Sequence, residues 1–262
     1  MSESHFPGKT VVITGGGGFF GSCATQRFLS LGCNVCCLDI SDSALANVPD
    51  HERLLKIAAN VTDEKGVKVA LDECVERFGA VDLLWNNAGY QGAISQTLTY
   101  PVEDFSRVMS INVTGMFVVL QACARLMKDG SAIVNTASVA ALRCTPAMVA
   151  YASSKAAVIA MTNVCAKDLA ASGIRVNAVS PALIGPGMMW DRQNELHAAC
   201  DSPFFANDAE TVAKNKIGGV PMKRLGSVEE VVDAVEFLLS NKSSYITGTN
   251  MVVDGGMAAG LK

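Results

Sequence analysis

The sequence predicts an α/β fold with a doubly wound, seven-stranded parallel sheet and helices on both faces. Three observations support this prediction. Half of the 262 residues are hydrophobic, which suffices for one large core. Short apolar, β-branched runs alternate with longer amphipathic stretches, and this alternation implies right-handed crossovers within a parallel sheet. No linker, repeat or low-complexity stretch divides the chain, so we expect a single domain over 1–262.

The predicted strands are short, continuously apolar runs of the kind that a parallel sheet buries on both faces. They are TVVIT (10–14), NVCCLD (34–39), LLKIAA (54–59), VDLLWN (81–86), SAIVNTA (131–137), IRVNAVS (174–180) and NMVVD (250–254). Apolar residues three and four apart predict helices within 63–79, 102–129 and 148–173. The stretch 185–218 interrupts the alternation, and we predict that it is a lid over a substrate site.

Composition and charge exclude several classes of protein. The formal net charge is -4 and no basic stripe is present, so nucleic acid is not expected as a partner. The N-terminus MSESHFPGK lacks the charged and apolar regions of a signal peptide, and no later apolar run approaches the roughly 20 residues of a membrane span. A soluble, cytoplasmic protein is therefore expected.

Nine cysteines and three histidines are spread along the chain without metal-ligand spacing. Cys33, Cys36 and Cys37 form a C-x-x-C-C cluster, but no second Cys/His pair follows at zinc spacing. The surrounding CNVCCLD is typical of a buried strand. We interpret the cysteines as reduced thiols, packed in the core where they are buried, and predict no metal site.

The glycine-rich string TGGGGFFG (14–21) directly follows the first strand and opens a helix, the context that favours phosphate binding. Glycines let the backbone approach a pyrophosphate, whose charge the helix N-terminus stabilises. A tight strand-to-helix turn without a ligand is the alternative. The residues predicted to bind a dinucleotide here are Gly15, Gly18, Phe19, Phe20 and Gly21.

Asp39 closes the second strand, where a carboxylate can accept hydrogen bonds from the ribose hydroxyls of adenosine. The same charge would repel a 2′-phosphate, and neither Ile40 nor Ser41 supplies a compensating cation. The sequence therefore predicts NAD rather than NADP. The alternative for Asp39 alone is the N-cap of the next helix.

Tyr151 and Lys155 lie four residues apart in a helical pattern, so both side chains project from one face. A cation about 4 Å from a phenol contributes roughly 4 kcal/mol at an effective dielectric of about 20, which lowers a pKa near 10 by about three units. A tyrosine with such a pKa can take a proton from an alcohol, or return one to a carbonyl, as hydride moves. The spacing by itself is common, so partners are required.

Those partners are present in the order TGxxxxxG, NNAG, INVTG, a serine after the fifth strand, YxxxK and an SP turn. This order resembles the short-chain dehydrogenase/reductase family from about Lys9 to Gly256, and implies a Rossmann-type domain. The resemblance implies that Asn112 holds a water in a proton relay and Ser138 binds the substrate oxygen. It further implies that Tyr151 is the acid/base, while Lys155 lowers its pKa and binds the nicotinamide ribose. From the residues alone, Asn112 could cap a helix kink and Ser138 the segment 139–147.

The chain departs from the compact branch of this family at several positions. Phe19 stands where that branch has glycine, and Gly18 instead gives the spacing of the epimerase-like branch, which the length disfavours. PALIGP (181–186) lacks the usual threonine, so the backbone of Ile184 or a residue of the lid must hold the cofactor in its place. The remaining residues expected to bind the cofactor are Ile40, Asn60, Val61, Asn87, Ala88, Gly89 and Pro181.

The substrate is indicated by resemblance more than by chemistry. NNAGYQGA (86–93) and GPGMMWDRQNEL (185–196) resemble polyol-oxidising members of the family, which implies a polyol such as xylitol. Gln91 and Trp190, together with Ser138 and Tyr151, are the predicted substrate residues. Further candidates are Asp191, Arg192, Gln193, Arg143 and Met148. In the alternative interpretation Met188, Met189 and Trp190 form an apolar lid hinge and the charged residues face solvent.

Other functions use the same core: reduction of ketoacyl, steroid or xenobiotic carbonyl groups, or dinucleotide sensing without catalysis. A sensor would need none of the four predicted catalytic residues. The segments 102–129 and 148–173 are apolar on several faces and therefore need several neighbours. Family members pair these helices across a two-fold axis, which implies a homotetramer.

Overall fold

The computed structural model describes residues 5–260 and confirms the predicted fold. One sheet of seven parallel strands has the order β3-β2-β1-β4-β5-β6-β7. Every predicted strand is found, with ends within two residues of the prediction. The strands are β1 (Thr10–Thr14), β2 (Asn34–Asp39), β3 (Leu54–Ala58), β4 (Leu83–Asn86), β5 (Ala132–Thr136), β6 (Arg175–Pro181) and β7 (Asn250–Val253).

Helices cover both faces of the sheet. They are α1 (Phe19–Ser30), α2 (Asp42–Ala46), α3 (Glu64–Phe78), α4 (Val102–Met109), α5 (Met116–Leu126), α6 (Ala140–Arg143), α7 (Val149–Ala170), α8 (Met188–Ala199), α9 (Ala209–Gly218) and α10 (Val228–Leu239). Alternate strand residues enter different cores: Val11 and Ile13 pack with α1 and α10, whereas Val12 packs with α3 and α5. The sheet therefore separates two apolar layers.

The cysteines of β2 belong to these layers. Cys33 and Cys37 lie in the core on the α1 side, and Cys36 lies in the core on the opposite side. The Sγ of Cys37 is 3.3 Å from the Thr25 hydroxyl, and burial raises the pKa of the Cys37 thiol to about 11. All nine cysteines are free thiols. Within residues 5–260, no group of three or more His, Cys, Asp or Glu side chains is placed to hold a metal ion.

A π-helical turn over Ser110–Gly115 joins α4 to α5. The prediction of helix within 102–129 is thus correct, and the turn is an interruption that its periodicity did not indicate. The helix Val102–Leu126 is long and apolar enough to cross a membrane by length and composition, contrary to our expectation. It is instead part of the fold, because Val119, Leu120 and Cys123 pack in the core below the sheet.

The segment 185–218, here called the lid segment, contains α8 and α9. These helices pack mainly on each other: Lys216 of α9 donates a hydrogen bond to Asn194 of α8 (2.8 Å), and its Nζ lies 5.4 Å from the centroid of the Trp190 ring. At its base, the amide of Gly185 donates to the carbonyl of Gly226 at 3.0 Å. The lid segment is therefore a helical hairpin attached beyond β6.

Candidate active site

The carboxyl ends of β1 and β4 meet at one edge of the sheet. The hydroxyl of Thr14 accepts hydrogen bonds from the amides of Asn87 and Ala88, both at 2.9 Å. The Asn86 side chain donates to the carbonyl of Met116 at 2.7 Å. These bonds fix the NNAG turn against the first strand and α5. The loop that follows β1 and the turn that follows β4 consequently face the same cleft, the usual place for a ligand in an open α/β sheet.

The glycine loop fits a dinucleotide phosphate. Gly15 has a φ of 65°, and a Cβ there would lie 3.1 Å from the Cα of Ala88. A Cβ at Gly21 would lie only 2.2 Å from the carbonyl oxygen of Gly15. Gly18 is the N-cap of α1 and has no side chain to cap it. Amide groups at the start of α1 therefore remain available to an anion, as phosphate binding requires.

Two glycines that the sequence did not single out are required for packing. A Cβ at Gly16 would lie 2.1 Å from the Sγ of Cys37, and one at Gly17 would lie 2.6 Å from the backbone of Ala44. The only signal for them is their position inside the GGGG run. Phe19 is 46% exposed, and its ring lies against Gly187 at the start of α8. The departure at position 19 thus places an aromatic ring between the phosphate loop and the lid segment.

Asp39 ends β2 at the predicted adenosine end of the cleft. Its carboxylate accepts hydrogen bonds from the amides of Gly17 and Ser41, each at 3.0 Å. The N-cap of α2 is Ser41, whose hydroxyl accepts from Ala44, so the alternative of a capping role for Asp39 is wrong. No Lys or Arg among the described residues forms an ion pair with Asp39. An uncompensated carboxylate at this position suits ribose hydroxyls better than a phosphate.

The residues predicted to surround the adenine are close to this edge. Ile40 is 72% exposed, which leaves its side chain free to cover a base. The side-chain oxygen of Asn60 accepts from the amide and hydroxyl of Thr62, so the side-chain NH₂ group is left to donate. Val61 packs on the π-helical turn at Gly115. Two further predicted cofactor residues lie near the lid segment. Pro181 is the last residue of β6, at the carboxyl end of the sheet, and Ile184 pairs with Gly226 at the base of the lid segment.

Lys155 and Tyr151 occupy neighbouring turns of α7. The Lys155 ammonium donates to the carbonyl of Thr136 at the end of β5, 2.7 Å away, and its Nζ lies 5.6 Å from the centroid of the Tyr151 ring. Burial lowers the pKa of Lys155 to about 8. Burial also raises the pKa of Tyr151, although a hydrogen bond from Ser138 opposes the change. The expectation that Lys155 brings this pKa towards neutrality is therefore not met, because burial is the largest influence on the phenol and raises its pKa.

Asn112 lies in the π-helical turn and is fully buried. Its side-chain oxygen accepts from the Tyr90 amide (2.7 Å), and its NH₂ donates to the Tyr90 carbonyl (2.8 Å) and to Ser154 (3.0 Å). The side chain therefore fixes the loop after NNAG against α7. A part in a proton relay stays a prediction. The Ser138 hydroxyl accepts from the amide of Ala140, the first residue of α6, at 3.1 Å and also interacts with Tyr151, while the N-cap of α6 is Val139.

The predicted substrate residues separate into two groups. Gln91 faces the lid segment, where its side-chain oxygen accepts a hydrogen bond from Gln193 at 3.2 Å. Trp190 is 8% exposed and packs inside the lid segment against Lys216, so contact with substrate stays a prediction for it. Of the other candidates, Met148 is buried. Asp191, Arg192 and Arg143 are exposed, as the alternative interpretation expected.

Among the described residues, the cleft therefore combines a helix N-terminus with free amides, an unpaired carboxylate and a Tyr–Lys pair of which the lysine is buried. Gly89 brings the NNAG turn next to the catalytic pair, because a Cβ at this position would lie 3.5 Å from the Nζ of Lys155. A dinucleotide that begins at Asp39 and crosses the glycine loop would end at this pair. The fold and site thus define a class of protein, the dinucleotide-dependent oxidoreductases of secondary alcohols and ketones.

Comparisons with known proteins identify the family. A family model described as enoyl-(acyl carrier protein) reductase matches residues 20–258. The chain is 35% identical to 2-(R)-hydroxypropyl-CoM dehydrogenase of Xanthobacter autotrophicus, over 96% of this chain and 99% of that protein. It is 33% identical to levodione reductase of Leifsonia aquatica, over 98% and 96% respectively. A crystal structure of NAD⁺-bound xylitol dehydrogenase superposes with a TM-score of 0.93 at 42% identity, covering 96% of this chain and 99% of that one. The chain belongs to the short-chain dehydrogenase/reductase family.

Proposed function

We propose that this protein is an NAD-dependent dehydrogenase that oxidises a secondary alcohol of a polyol, such as xylitol, to a ketone. The observation that carries the proposal is the pair of a partly buried Tyr151 and a buried Lys155, with Ser138 beside the phenol at the carboxyl edge of the sheet. The likeness to NAD⁺-bound xylitol dehydrogenase supports the cofactor and the polyol class. The levodione reductase likeness supports ketones as the oxidised partners.

The proposed chemistry follows from the protonation states of these residues. NAD, when bound, would supply the hydride acceptor. Ser138 holds the substrate oxygen by a hydrogen bond, and Tyr151 takes the hydroxyl proton in oxidation or donates it in reduction. Because burial raises its pKa, the phenol is protonated at neutral pH in the protein alone and is ready to act as the acid. Oxidation requires the phenolate, which the ammonium group of Lys155 would favour.

Lys155 contributes to this reaction by placing a positive charge beside Tyr151. Its hydrogen bond to the carbonyl of Thr136 holds the ammonium group at the end of β5, close to Gly89 and the Tyr151 ring. No carboxylate among the described residues pairs with it. The cation is thus available to the phenolate and to ribose hydroxyls. A sensor without catalysis is disfavoured, because it would not need a buried, unpaired lysine beside a tyrosine.

We also propose that the enzyme is cytoplasmic and forms a homotetramer. Exposed apolar side chains on α5 and α7 support the association, among them Phe117 and Val164, which are 42% and 58% exposed. Association with a second copy of the chain would bury these apolar side chains and remove them from water. Light scattering of the purified protein tests the tetramer.

The experiment that tests the function follows reduced nicotinamide by absorbance, with NAD or NADP and a panel of polyols, hydroxysteroids and simple alcohols. We expect turnover of polyols with NAD. Asp39→Asn removes the charge while keeping an acceptor, and should raise the NADP-to-NAD ratio of kcat/KM at least about tenfold. Asp42→Asn, at an exposed position in the first turn of α2, is the matched control and should leave the ratio unchanged. Preference of the unaltered protein for NADP would contradict the assignment of Asp39.

A further inference from the structure

Two glutamine side chains meet across the cleft, one from each side. Gln91 belongs to the loop that follows NNAG, and Gln193 belongs to α8 of the lid segment. The Nε2 of Gln193 donates a hydrogen bond to the Oε1 of Gln91 at 3.2 Å. Both side chains are partly buried. The two residues are far apart in the chain, so the pair exists only when the lid segment lies over the loop.

The backbone on which Gln91 sits borders the catalytic pair. The adjacent residue Tyr90 is held at both its amide and its carbonyl by Asn112, which also donates to Ser154. The Ser154 hydroxyl in turn donates to the carbonyl of Tyr151 at 2.8 Å. Gly89, two residues before Gln91, is in contact range of Lys155. Two residues span at most about 7 Å, so the backbone of Gln91 lies within about 7 Å of Gly89, which borders Lys155.

Asp104 of α4 holds this loop in a defined conformation. Its carboxylate accepts from the hydroxyl of Tyr90 (3.0 Å), the amide of Ala93 (2.7 Å) and the hydroxyl of Tyr100 (2.9 Å). These hydrogen bonds outweigh burial and lower the pKa of Asp104, which keeps it an acceptor. Gln91 lies between two of the anchored residues. We therefore regard Asp104 as a positioning residue for the Gln91 side chain.

The pair retains both donors and acceptors after its own hydrogen bond is made. A primary amide has two N–H donors and an oxygen with two lone pairs. The Nε2 of Gln91 and the Oε1 of Gln193 make no hydrogen bond to any residue that the structure describes. A free donor and a free acceptor at one place match a hydroxyl, which both accepts and donates, better than a carbonyl or carboxylate, which only accepts.

We infer that Gln91 and Gln193 together bind a hydroxyl on the carbon next to the carbinol being oxidised. The enzyme would thereby select vicinal diols over isolated secondary alcohols. The inference rests on the proposed function and specifies the feature of the polyol that is recognised. An alcohol that lacks the second hydroxyl leaves the Nε2 of Gln91 and the Oε1 of Gln193 without a partner, and such unmade hydrogen bonds are strongly discriminated against.

The test compares 2,3-butanediol with 2-butanol, which differ by one hydroxyl. We expect the unaltered enzyme to have a kcat/KM at least about 100-fold higher for the stereoisomer of the diol that it oxidises best. Gln91→Ala and Gln193→Ala should each lower kcat/KM for the diol about 10- to 100-fold and change that for 2-butanol less than about 3-fold. The double variant should lose little more than either single one, since the two amides act as a unit.

Gln96→Ala is the matched control. The Gln96 side chain is exposed and donates to the carbonyl of Asp201, so it joins the same loop to the lid segment without entering the amide pair. Its loss should affect both alcohols equally and weakly. Equal losses for both alcohols in the Gln91 and Gln193 variants would mean that the pair only closes the lid segment, and would overturn the inference. The same holds if the unaltered enzyme oxidises 2-butanol as well as the diol. Absence of turnover with every alcohol and either nicotinamide would instead refute the proposed function.

Discussion

The sheet edge that carries Tyr151 and the lid segment that faces it are built in different ways. Lys155 is buried and bonded to the end of β5, while Asn112 of the π-helical turn donates to Ser154, which donates to the backbone of Tyr151. The lid segment packs mainly on itself. Two side-chain hydrogen bonds join it to the loop after NNAG, one from Gln193 to Gln91 and one from Gln96 of the loop to the carbonyl of Asp201. Its exposed surface mixes charged residues such as Asp191 and Arg192 with apolar ones, of which Met188 is 89% exposed. The reaction is thus assigned to the rigid part and substrate selection to the part with few attachments, which can change without disturbing the chemistry.

Among the substitutions that test this comparison, the largest effect on activity is expected at Ser138. Ser138→Ala removes the hydroxyl proposed to hold the substrate oxygen, and should lower kcat about 10²- to 10³-fold without weakening NAD binding. Ser153→Ala, at an exposed position of α7, is the control and should retain full activity. Steady-state kinetics and NAD titration by calorimetry provide the two measurements. A loss of NAD affinity equal to the loss of kcat would show that Ser138 acts on the fold instead.

The second prediction concerns the pH dependence of stability. Burial lowers the pKa of Lys155 from 10.5 to about 8. Between these values the unfolded chain binds a proton that the folded protein has released, so the free energy of unfolding increases with pH. Relative to Lys155→Met, which does not titrate, the unaltered protein should gain about 3 kcal/mol between about pH 7 and about pH 10.5. Urea unfolding at both pH values measures the gain, and a constant difference would contradict the burial of a charged lysine.

The third prediction compares the stability contributed by one buried asparagine in each region, Asn112 at the sheet edge and Asn194 in the lid segment. Asn112 makes three hydrogen bonds at the sheet edge, whereas the Asn194 side chain accepts one, from Lys216 in the lid segment. Asn112→Ala should lower the free energy of unfolding by about 3 kcal/mol and Asn194→Ala by about 1 kcal/mol. Chemical denaturation provides the comparison. Equal costs would mean that the lid segment is as firmly integrated as the sheet edge.

The smallest effect is expected on the exposed face of the lid segment. Met188→Ser alters a side chain that solvent already surrounds, and should change the free energy of unfolding by less than about 0.5 kcal/mol. Met116→Ala, at a buried position of α5, should cost about 2–4 kcal/mol by comparison. Thermal unfolding distinguishes the two. A large decrease in Tm for Met188→Ser would show that another surface covers this face.

The sequence predicted those features that depend on local patterns. Buried strands, the glycine loop and the Tyr151–Lys155 spacing are all properties of short windows, and each lies where expected. Contacts between distant segments were not predictable, among them the Gln91–Gln193 bond and the close approach of Gly16 to Cys37. The π-helical turn was missed because its residues keep the apolar periodicity of the helix on either side.

The pKa of Tyr151 was also beyond sequence reasoning. The position of Lys155 relative to Tyr151 along the helix gave the sign of the charge effect. It gave no measure of how deeply the phenol is buried, and burial is the larger contribution. Asp39 illustrates the same limit, since two roles fitted the sequence and only the hydrogen bond of Ser41 to Ala44 excluded one of them.

The most direct test of the account is the kinetics of Tyr151→Phe, which removes only the hydroxyl proposed to exchange the proton. We predict that NAD binds with unchanged affinity while kcat for a polyol, followed as reduced nicotinamide, decreases at least about 10³-fold. The circular dichroism spectrum and Tm should remain close to those of the unaltered protein. Retention of activity in this variant, with NAD bound and the fold intact, would contradict the assignment of Tyr151 as the acid/base.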